Sequence, residues 1–312
     1  MIYAVLFVIL FGLMLLYFRI ADRFNIIDNP NSRSSHTVPT IRGGGIIFLI
    51  STSLFFFWSG FTYPYLLMAV LLSAIVSFID DIRTVKNSIK FGIHVLSVIL
   101  LFKQCGLLDT ISFVYLVAVG ILIIGIINAY NFMDGINGIT GLYSLAIFIP
   151  LAITEPDKTL LVLDLFSIVA LSVFNYFNTR KKASCFAGDV GSICLAILIV
   201  FLIINRIQAT REFKYIGLLL IYGIDSIFTI IQRLVTHENI FKPHRKHLYQ
   251  YYTNEKKIPH VAVSVIYASV QFIINLAIVY DYLNLFPLLI LLIFLSITYW
   301  ILKIPFLRRP AL

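Results

Sequence analysis

Carboxylates and amides stand at the edges of hydrophobic stretches in three parts of this sequence. Asp80 and Asp81 end one stretch, Asn131 and Asp134 end another, and Asp189 precedes a third. Two adjacent carboxylates at a membrane exit are costly unless they are paired, bind metal or do chemistry. Asn131 and Asp134 are three residues apart, so one helical turn would place both oxygens on a common face, where they suit Mg²⁺ or ribose hydroxyls. Helix capping is the alternative for Asp134 and Asp189.

Glycines flank one of these acids, so that backbone N–H groups could also take part in binding. Asp189 stands between Gly188 and Gly191. The start of a helix offers free N–H groups, so an aspartate placed there could share a metal-bound phosphate with the backbone. We therefore expect a phosphate site at this turn.

Two further segments carry basic side chains suited to phosphate. The first runs from 28 to 45, contains Arg33 and His36, and ends in three consecutive glycines. The second contains His244, Arg245 and His247 within four positions. An Arg fork binds phosphate bidentately, and histidines exchange protons near neutral pH. Binding to anionic lipid headgroups is the alternative for both segments.

The composition shows which elements must position these residues. Of the 312 residues, 60% are hydrophobic and only 12% are charged, with a mean hydropathy of +0.95. A soluble domain is about 25% charged, so a soluble globular enzyme is excluded. The net charge is +9, but no segment resembles a nucleic-acid-binding module. In a membrane protein such an excess usually belongs to the cytoplasmic loops.

Helices are the expected spanning form, because runs this long and apolar must satisfy their backbone hydrogen bonds internally. We predict an all-α polytopic membrane protein, with residues 1–312 forming a single domain and about eleven transmembrane helices. The predicted spans are 2–20, 44–60, 62–79, 89–104, 112–128, 138–154, 159–177, 190–205, 214–231, 260–280 and 285–302.

The distribution of Lys and Arg predicts the sidedness. If the N-terminus faces outward, one alternating set of loops holds 19 of the 24 basic residues and the other set holds five. Basic loops face the cytoplasm, so we expect the first set and the C-terminus to lie inside. The inward set also carries the candidate acids and the two basic segments. We therefore predict an active site at the cytoplasmic face.

Two other classes of function compete with an enzyme. A transporter of an anionic solute should carry polar groups at mid-membrane depth. Only Asp164, Asp225 and Asn275 stand out inside the predicted spans. A catalytically silent scaffold is the third class, and the acidic and basic motifs argue against it. Polar groups concentrated at span ends favour an enzyme that works at the membrane surface.

In order along the chain, five motifs resemble those of the polyprenyl-phosphate N-acetylhexosamine-1-phosphate transferases, the family of the MraY and WecA enzymes. They are the Arg33-Ser-Ser-His36 loop ending in glycines, the Asp-Asp exit, the Asn-x-x-Asp-Gly turn, the Gly-Asp-x-Gly-Ser turn and the His-rich loop. The last, His244-Arg-Lys-His247-Leu-Tyr-Gln, looks most like the WbpL-type branch. The sequence departs from the family in having Thr84 for a Lys, and Asn137 for an Asp.

The resemblance implies a Mg²⁺-dependent phosphotransferase. A UDP-N-acetylhexosamine donor would give its sugar 1-phosphate to undecaprenyl phosphate, releasing UMP and initiating a cell-envelope glycan such as O-antigen. The implied metal ligands are Asp189 and Asn131, and the implied catalytic residues are Asp80, Asp81, Asp134 and Asp189. Substrate binding would fall to Arg33, His36, Asn128, Asn137, His244, Arg245 and His247.

The resemblance also implies a bacterial inner membrane as the location and the lipid bilayer as a partner. No nucleic acid is expected, and a homodimer is left open. The sequence does not indicate which UDP-sugar is the donor or which glycan pathway is served.

Overall fold

A computed structural model describes residues 1–30, 35–239 and 244–307. Within these residues 75% of the chain is helical, which confirms the predicted all-α class. The helices are α1 (Ile2–Arg23), α2 (Ile46–Trp58), α3 (Pro64–Ile82), α4 (Asn87–Gln104), α5 (Phe113–Phe132), α6 (Ile139–Ile153), α7 (Lys158–Asn178), α8 (Gly188–Thr210), α9 (Leu220–Val235), α10 (Leu248–Asn254), α11 (His260–Val279) and α12 (Leu285–Leu307). A 3₁₀ helix, Phe213–Leu219, leads into α9. Two short strands, β1 (Ile27–Asp28) and β2 (Thr40–Ile41), pair antiparallel.

Eight helical segments of the described chain are long and apolar enough to cross a membrane, counting 213–235 as one. The protein is therefore an all-α polytopic membrane protein. Each of the eleven predicted spans coincides with a helix, but α2 and α6 are short. Helix α4 is not among the eight either, and it carries Lys90 and Lys103. The number of eleven crossings and the single domain remain predictions.

Helix α8 lies at the centre of the bundle. In its most apolar window 83% of the residues are buried, against 11% for α12. Residues 190–203 of α8 are buried without interruption. A helix that is apolar all round must face either other helices or lipid. Helix α8 therefore packs among its neighbours, while α12 presents most of its surface outward.

Polar side chains tie α6 to α11 within the apolar interior. The Tyr143 hydroxyl donates to Gln271 Oε1 at 2.7 Å, and the Asn275 amide donates to the carbonyl oxygen of Ala146 at 2.8 Å. Polar groups away from water need such partners. The helices that carry the surrounding loops are thereby held in one arrangement.

Glycines bring the start of α2 against the start of α8. A Cβ on Gly45 would lie 2.1 Å from the Gly191 Cα atom, which only glycine avoids. The close approach lets the two backbones pair, with Gly44 N donating to the Phe186 carbonyl at 2.8 Å and Gly45 N to the Ala187 carbonyl at 3.0 Å. The segment after β2 is thus fixed beside the first turn of α8.

Candidate active site

A polar cavity of about 330 Å³ lies where several loops meet at one end of the bundle. Of the residues singled out in the sequence, six line this cavity: His36, Asn131, Asp134, Asn137, Asp189 and His244. They come from four loops that are far apart in sequence and all belong to the predicted inward set. The structure therefore brings together the groups that the sequence placed on one face.

Arg42 joins two carboxylates at the wall of the cavity. Its Nε lies 2.8 Å from Asp81 Oδ1, and its Nη2 lies 3.9 Å from Asp189 Oδ1. Burial by itself lowers the pKa of Arg42, but the carboxylates of Asp81 and Asp189 outweigh burial and raise this pKa above its usual value. The guanidinium is therefore a fixed positive charge beside the Asp189 carboxylate.

Asp81 lies directly behind the first turn of α8. Its side chain is fully buried, and its Oδ1 also accepts a hydrogen bond from the backbone N–H of Asp189 at 3.3 Å. Gly188 has φ +70°, and a Cβ there would lie 2.4 Å from Asp81 Oδ2. Glycine at 188 is what allows the carboxylate to approach this close.

Asp80 has different surroundings although it is adjacent in sequence. Its Oδ1 accepts from Val85 N at 2.7 Å and its Oδ2 from Lys90 Nζ at 2.8 Å, which closes the turn between α3 and α4. Asp80 does not line the polar cavity. The structure thus brings Asp81, rather than Asp80, next to Asp189.

The turn after α5 supplies amide and carboxylate oxygens to the cavity. Asn131 Oδ1 accepts from Ser192 Oγ at 2.7 Å, which links α5 to the first turn of α8. Burial, assisted by the charge of Asp189, raises the pKa of Asp134 to about 6. Asn137 donates to the carbonyl of Arg180 at 2.9 Å. These contacts hold the turn open toward the cavity.

Gly135 marks where this turn meets the histidine segment. A Cβ on Gly135 would lie 2.2 Å from the Tyr249 hydroxyl oxygen, which itself donates to the carbonyl of Phe132 at 3.2 Å. Only a residue without a side chain fits between α5 and α10 at this point. The glycine therefore sets the distance between two walls of the site.

The donor atoms fit a magnesium ion that is shared with a substrate. The Asp189 side chain is 21% exposed and lines the cavity together with Asn131 and Asp134. Across residues 1–30, 35–239 and 244–307, no three His, Cys, Asp or Glu side chains are close enough to hold a metal ion. Mg²⁺ usually takes one or two protein carboxylates and completes its shell with water and substrate phosphates.

The two histidines of the last segment, His244 and His247, lie in different surroundings. His244 lines the cavity, and burial lowers its pKa to about 3, so its imidazole is neutral at physiological pH. His247 is buried outside the cavity, with Nδ1 3.3 Å from Asp225 Oδ1. Arg245 is exposed and does not line the cavity. Direct contact between donor phosphates and His247 or Arg245 has no support from this arrangement.

Of the other predicted residues, Asn128 does not reach the site. The Asn128 amide donates to the carbonyl of Ile124 at 2.7 Å within α5 and does not line the cavity. Arg33 lies outside the described residues. By contrast, His36 packs edge-on against Phe186 with ring centroids 4.8 Å apart, and its Nε2 lies 4.0 Å from Asp28 Oδ2.

Four residues that line the cavity were not among the predicted site residues: Asp28, Arg42, Gln250 and His260. Arg42 stands immediately before the three glycines, and that position was an available signal. His260 begins α11 with no recognisable motif around it. Only the packing of α11 against the other helices reveals that it reaches the cavity.

Comparison with known proteins places these residues in a family. The sequence model of glycosyl transferase family 4 matches residues 63–206. The chain is 27% identical over 310 residues to the probable undecaprenyl-phosphate N-acetylglucosaminyl 1-phosphate transferase of Bacillus subtilis (strain 168), covering 89% of this chain and 85% of that protein.

Two further relatives extend the comparison. Identity is 27% over 262 residues with the undecaprenyl-phosphate alpha-N-acetylglucosaminyl 1-phosphate transferase of Thermotoga maritima, covering 82% of each protein. It is 31% over 210 residues with the phospho-N-acetylmuramoyl-pentapeptide-transferase of Dictyoglomus turgidum, covering 61% of this chain and 66% of that one.

The matched segment runs from the residue before α3 into the last turns of α8 and contains Asp81, Asn131, Asp134 and Asp189. It therefore includes the acidic groups at and directly behind the cavity wall. The comparisons do not test the WbpL-type branch, which stays a prediction. The fold, the cavity and these similarities agree that the chain belongs to glycosyl transferase family 4.

Proposed function

We propose that this protein transfers a sugar 1-phosphate to a polyprenyl phosphate. In the finer form, a UDP-N-acetylhexosamine is the donor and undecaprenyl phosphate is the acceptor. The observation that carries the proposal is the polar cavity in which Arg42, Asp189, Asn131 and Asp134 converge, in a chain similar over 89% of its length to a protein named for this reaction.

The proposed reaction is a displacement at phosphorus. A phosphate oxygen of the lipid attacks the β-phosphorus of the UDP-sugar, and the bond from that phosphorus to the oxygen bridging it to the α-phosphorus breaks. The electron pair leaves with UMP, and the products are polyprenyl-diphospho-sugar and UMP. A lipid phosphate is largely ionised at neutral pH, so the attacking oxygen needs no strong base.

The main obstacle is electrostatic repulsion. A diphosphate and a phosphate monoester together bring roughly three to four negative charges into a site partly shielded from water, where repulsion is strong. Arg42 supplies a permanent positive charge at the cavity wall. A Mg²⁺ ion held by Asp189, with Asn131 as a second ligand, would neutralise phosphate charge and stabilise the leaving group when bound.

The remaining residues would bind and orient the substrates. Asp134 and Asn137 line the cavity beside the proposed metal site and would hold the nucleotide-sugar. His244 is neutral and would donate a hydrogen bond to the diphosphate. The carboxyl of Asp81 fixes Arg42 and the first turn of α8. A role for Asp80 at the lipid phosphate stays a prediction.

We place the reaction at the cytoplasmic face of a bacterial inner membrane, at the start of a cell-envelope glycan such as O-antigen. Support comes from the 19-to-5 division of basic residues and from the convergence of the inward loops on one cavity. Cysteines introduced at Arg180 and Lys256 should be labelled only from the cytoplasm, and one at Lys158 only from outside. The reverse pattern would contradict this placement.

Transport of an anionic solute is less well supported. The three polar residues singled out inside the predicted spans, Asp164, Asp225 and Asn275, are all buried, and none lines the polar cavity. Asn275 and Asp225 are occupied by hydrogen bonds to neighbouring helices. These three residues therefore give no support to a polar path that leads from the cavity through the described part of the bundle.

The test is a reconstituted transfer assay. Purified protein in detergent is given Mg²⁺, undecaprenyl phosphate and each member of a panel of radiolabelled UDP-N-acetylhexosamines. We expect label in the lipid phase and one UMP released per lipid product with at least one donor. Release of UMP without lipid phosphate, or no product with any donor in folded protein, would contradict the proposed function.

A further inference from the structure

The buried carboxyl of Asp225 on α9 lies outside the cavity, yet three other helices contact it. Its Oδ2 accepts from the Tyr267 hydroxyl of α11 at 2.8 Å, and its Oδ1 accepts from the Tyr299 hydroxyl of α12 at 3.2 Å. The backbone N–H of Leu248, the first residue of α10, donates to Oδ1 at 3.1 Å. Such convergence on one carboxyl inside an apolar bundle requires an explanation.

The same carboxyl reaches the histidine segment directly. His247 Nδ1 lies 3.3 Å from Asp225 Oδ1, and His247 N donates to Gln250 Oε1 at 3.2 Å, so His247 is fixed at both its ring and its backbone. The His247 ring lies 5.0 Å from the His244 ring, at an interplanar angle of 31°. His244 in turn lines the cavity. A short chain of contacts therefore runs from Asp225 to the cavity wall.

Lys303, in the last turns of α12, supplies a positive charge beside this carboxyl. It is fully buried, its Nζ donates to Thr229 Oγ1 at 2.9 Å and to the Tyr299 hydroxyl, and its charge acts on Asp225. An isolated charge in an apolar interior is very costly, whereas an opposite charge with hydrogen bonds offsets that cost. Lys303 and Asp225 therefore form one buried ionic cluster with the tyrosines and Thr229.

We propose that Asp225 is a positioning residue for the transfer reaction, with Lys303 as its counter-charge. The cluster holds residues 244–248 so that His244 forms the cavity wall at the donor diphosphate. Neither Asp225 nor Lys303 touches substrate. This proposal rests on the proposed function, because it assigns the donor diphosphate to the wall that His244 forms. The competing explanation is a cluster that stabilises the helix bundle and has no effect on the donor.

Donor affinity separates these two explanations. A purely stabilising cluster would, when damaged, reduce the amount of folded enzyme and leave KM unchanged. A displaced His244 would raise KM for the UDP-sugar and leave KM for the lipid phosphate unchanged. Because small misplacements of substrate-binding groups are costly, we expect Asp225→Ala to raise donor KM at least about tenfold. Asp225→Asn, which retains an acceptor for Leu248 N–H, should have a smaller effect.

A double substitution tests the pairing of Asp225 with Lys303. Lys303→Met alone should raise donor KM, because the carboxyl loses its counter-charge and the cluster rearranges. In Asp225→Asn/Lys303→Met the increase should be smaller than the product of the two single increases, as for residues acting in one cluster. The matched control is Arg206→Met, which removes a buried cation paired with Glu155 at 3.2 Å in the last turns of α8. The control should lower the yield of folded protein but leave donor KM within twofold.

Hydrogen exchange provides a measurement that does not depend on activity. In Asp225→Ala the backbone N–H of Leu248 loses its acceptor, so the peptide covering 244–250 should exchange faster than in wild type and in Arg206→Met. Unchanged exchange in folded Asp225→Ala overturns the proposal whether or not the protein is a transferase. Faster exchange with unchanged donor KM overturns the link to the donor. A wild-type protein inactive with every UDP-sugar instead overturns the proposed function, and the exchange measurement still decides whether Asp225 holds the segment.

Discussion

The two ends of α8 carry the same kind of ionic group in opposite settings. At the first turn, Arg42 lies between Asp81 and Asp189, is 35% exposed and lines a polar cavity. In the last turns, Arg206 pairs with Glu155 and is almost completely buried. The two ends share an arginine and a carboxylate but differ in access.

The two ends differ in how closely the backbones approach and in how much space remains, and not in the type of charged group. At the first turn, glycines at 188 and 191 let neighbouring segments approach, and several loops add further polar side chains around the space that remains. In the last turns, Arg206 donates to the carbonyl of Leu151 at 3.0 Å and closes the end of α6. An arginine–carboxylate pair can take part in a binding site only where the chain leaves room for a substrate beside it.

Replacing the carboxylate at each end should give the largest contrast. Asp189→Asn removes the charge of the proposed principal metal ligand, and we expect turnover to fall about 100- to 1000-fold, the scale seen when one stabilising group at developing charge is lost. Glu155→Gln, the equivalent change at the other end, should leave turnover per folded molecule within about twofold. The measurement is the initial rate of lipid-product formation across a Mg²⁺ series. Near-normal activity of Asp189→Asn at low Mg²⁺ would show that this aspartate does not hold the metal ion.

We expect the second largest contrast between substitutions of the two arginines, Arg42 and Arg206. Arg42→Lys keeps the charge but loses the fork that contacts two carboxylates, so we expect kcat/KM for the donor to fall about tenfold to hundredfold. Arg206→Lys should affect thermal stability alone. Donor kinetics and the apparent Tm in one detergent measure both. Equal kinetic losses in the two variants would remove the distinction between the two ends.

Substitution of the closely packed Gly135 should have a smaller effect on activity, which a second substitution should partly reverse. The methyl group of Gly135→Ala would collide with the Tyr249 hydroxyl, so the turn carrying Asp134 should shift and donor kcat/KM should fall about tenfold. Tyr249→Phe removes the colliding oxygen and should restore part of the loss in the double variant. Gly92→Ala, at a position with open space around it, is the control. An additive loss in the double variant would show that the collision is not the cause.

The smallest predicted effect is a pH dependence of activity, which we expect only at the cavity end of α8. Burial raises the pKa of Asp134 to about 6, so donor kcat/KM should decline below about pH 6 as this carboxylate becomes protonated. His244 remains neutral in this range, since its pKa is lowered to about 3. Asp134→Asn should have lower kcat/KM throughout and lack this decline. The same decline in the variant would assign it to another group.

Stability should change with pH in the opposite direction. The folded protein retains the Asp134 proton to a higher pH than the unfolded chain does, so the free energy of unfolding falls as the pH rises toward 6. Asp134→Asn should reduce this slope, which the difference in apparent Tm between pH 4.5 and 7 measures. An unchanged slope would mean that Asp134 is not protonated preferentially in the folded state.

The sequence by itself determined the class of protein and the set of groups available for chemistry. Runs of apolar residues must be helices in a bilayer, so the helical stretches followed from hydropathy. Charge distribution placed the candidate acids and the two basic segments in one set of loops, and Asp189, Asn131 and Asp134 were selected from their helix-end positions. These properties depend only on the local sequence and on the solvent.

Tertiary structure decided which member of each neighbouring pair lies at the cavity wall or directly behind it. Asp81 rather than Asp80 meets Asp189, and His244 rather than His247 lines the wall. Two side chains that are neighbours in sequence point in different directions. Contacts with residues farther away in sequence decide which of the two faces the site. Lys90 of α4 holds Asp80 away, and Asp225 of α9 holds His247. No local pattern contains those partners, because helix packing alone brings them within hydrogen-bonding distance.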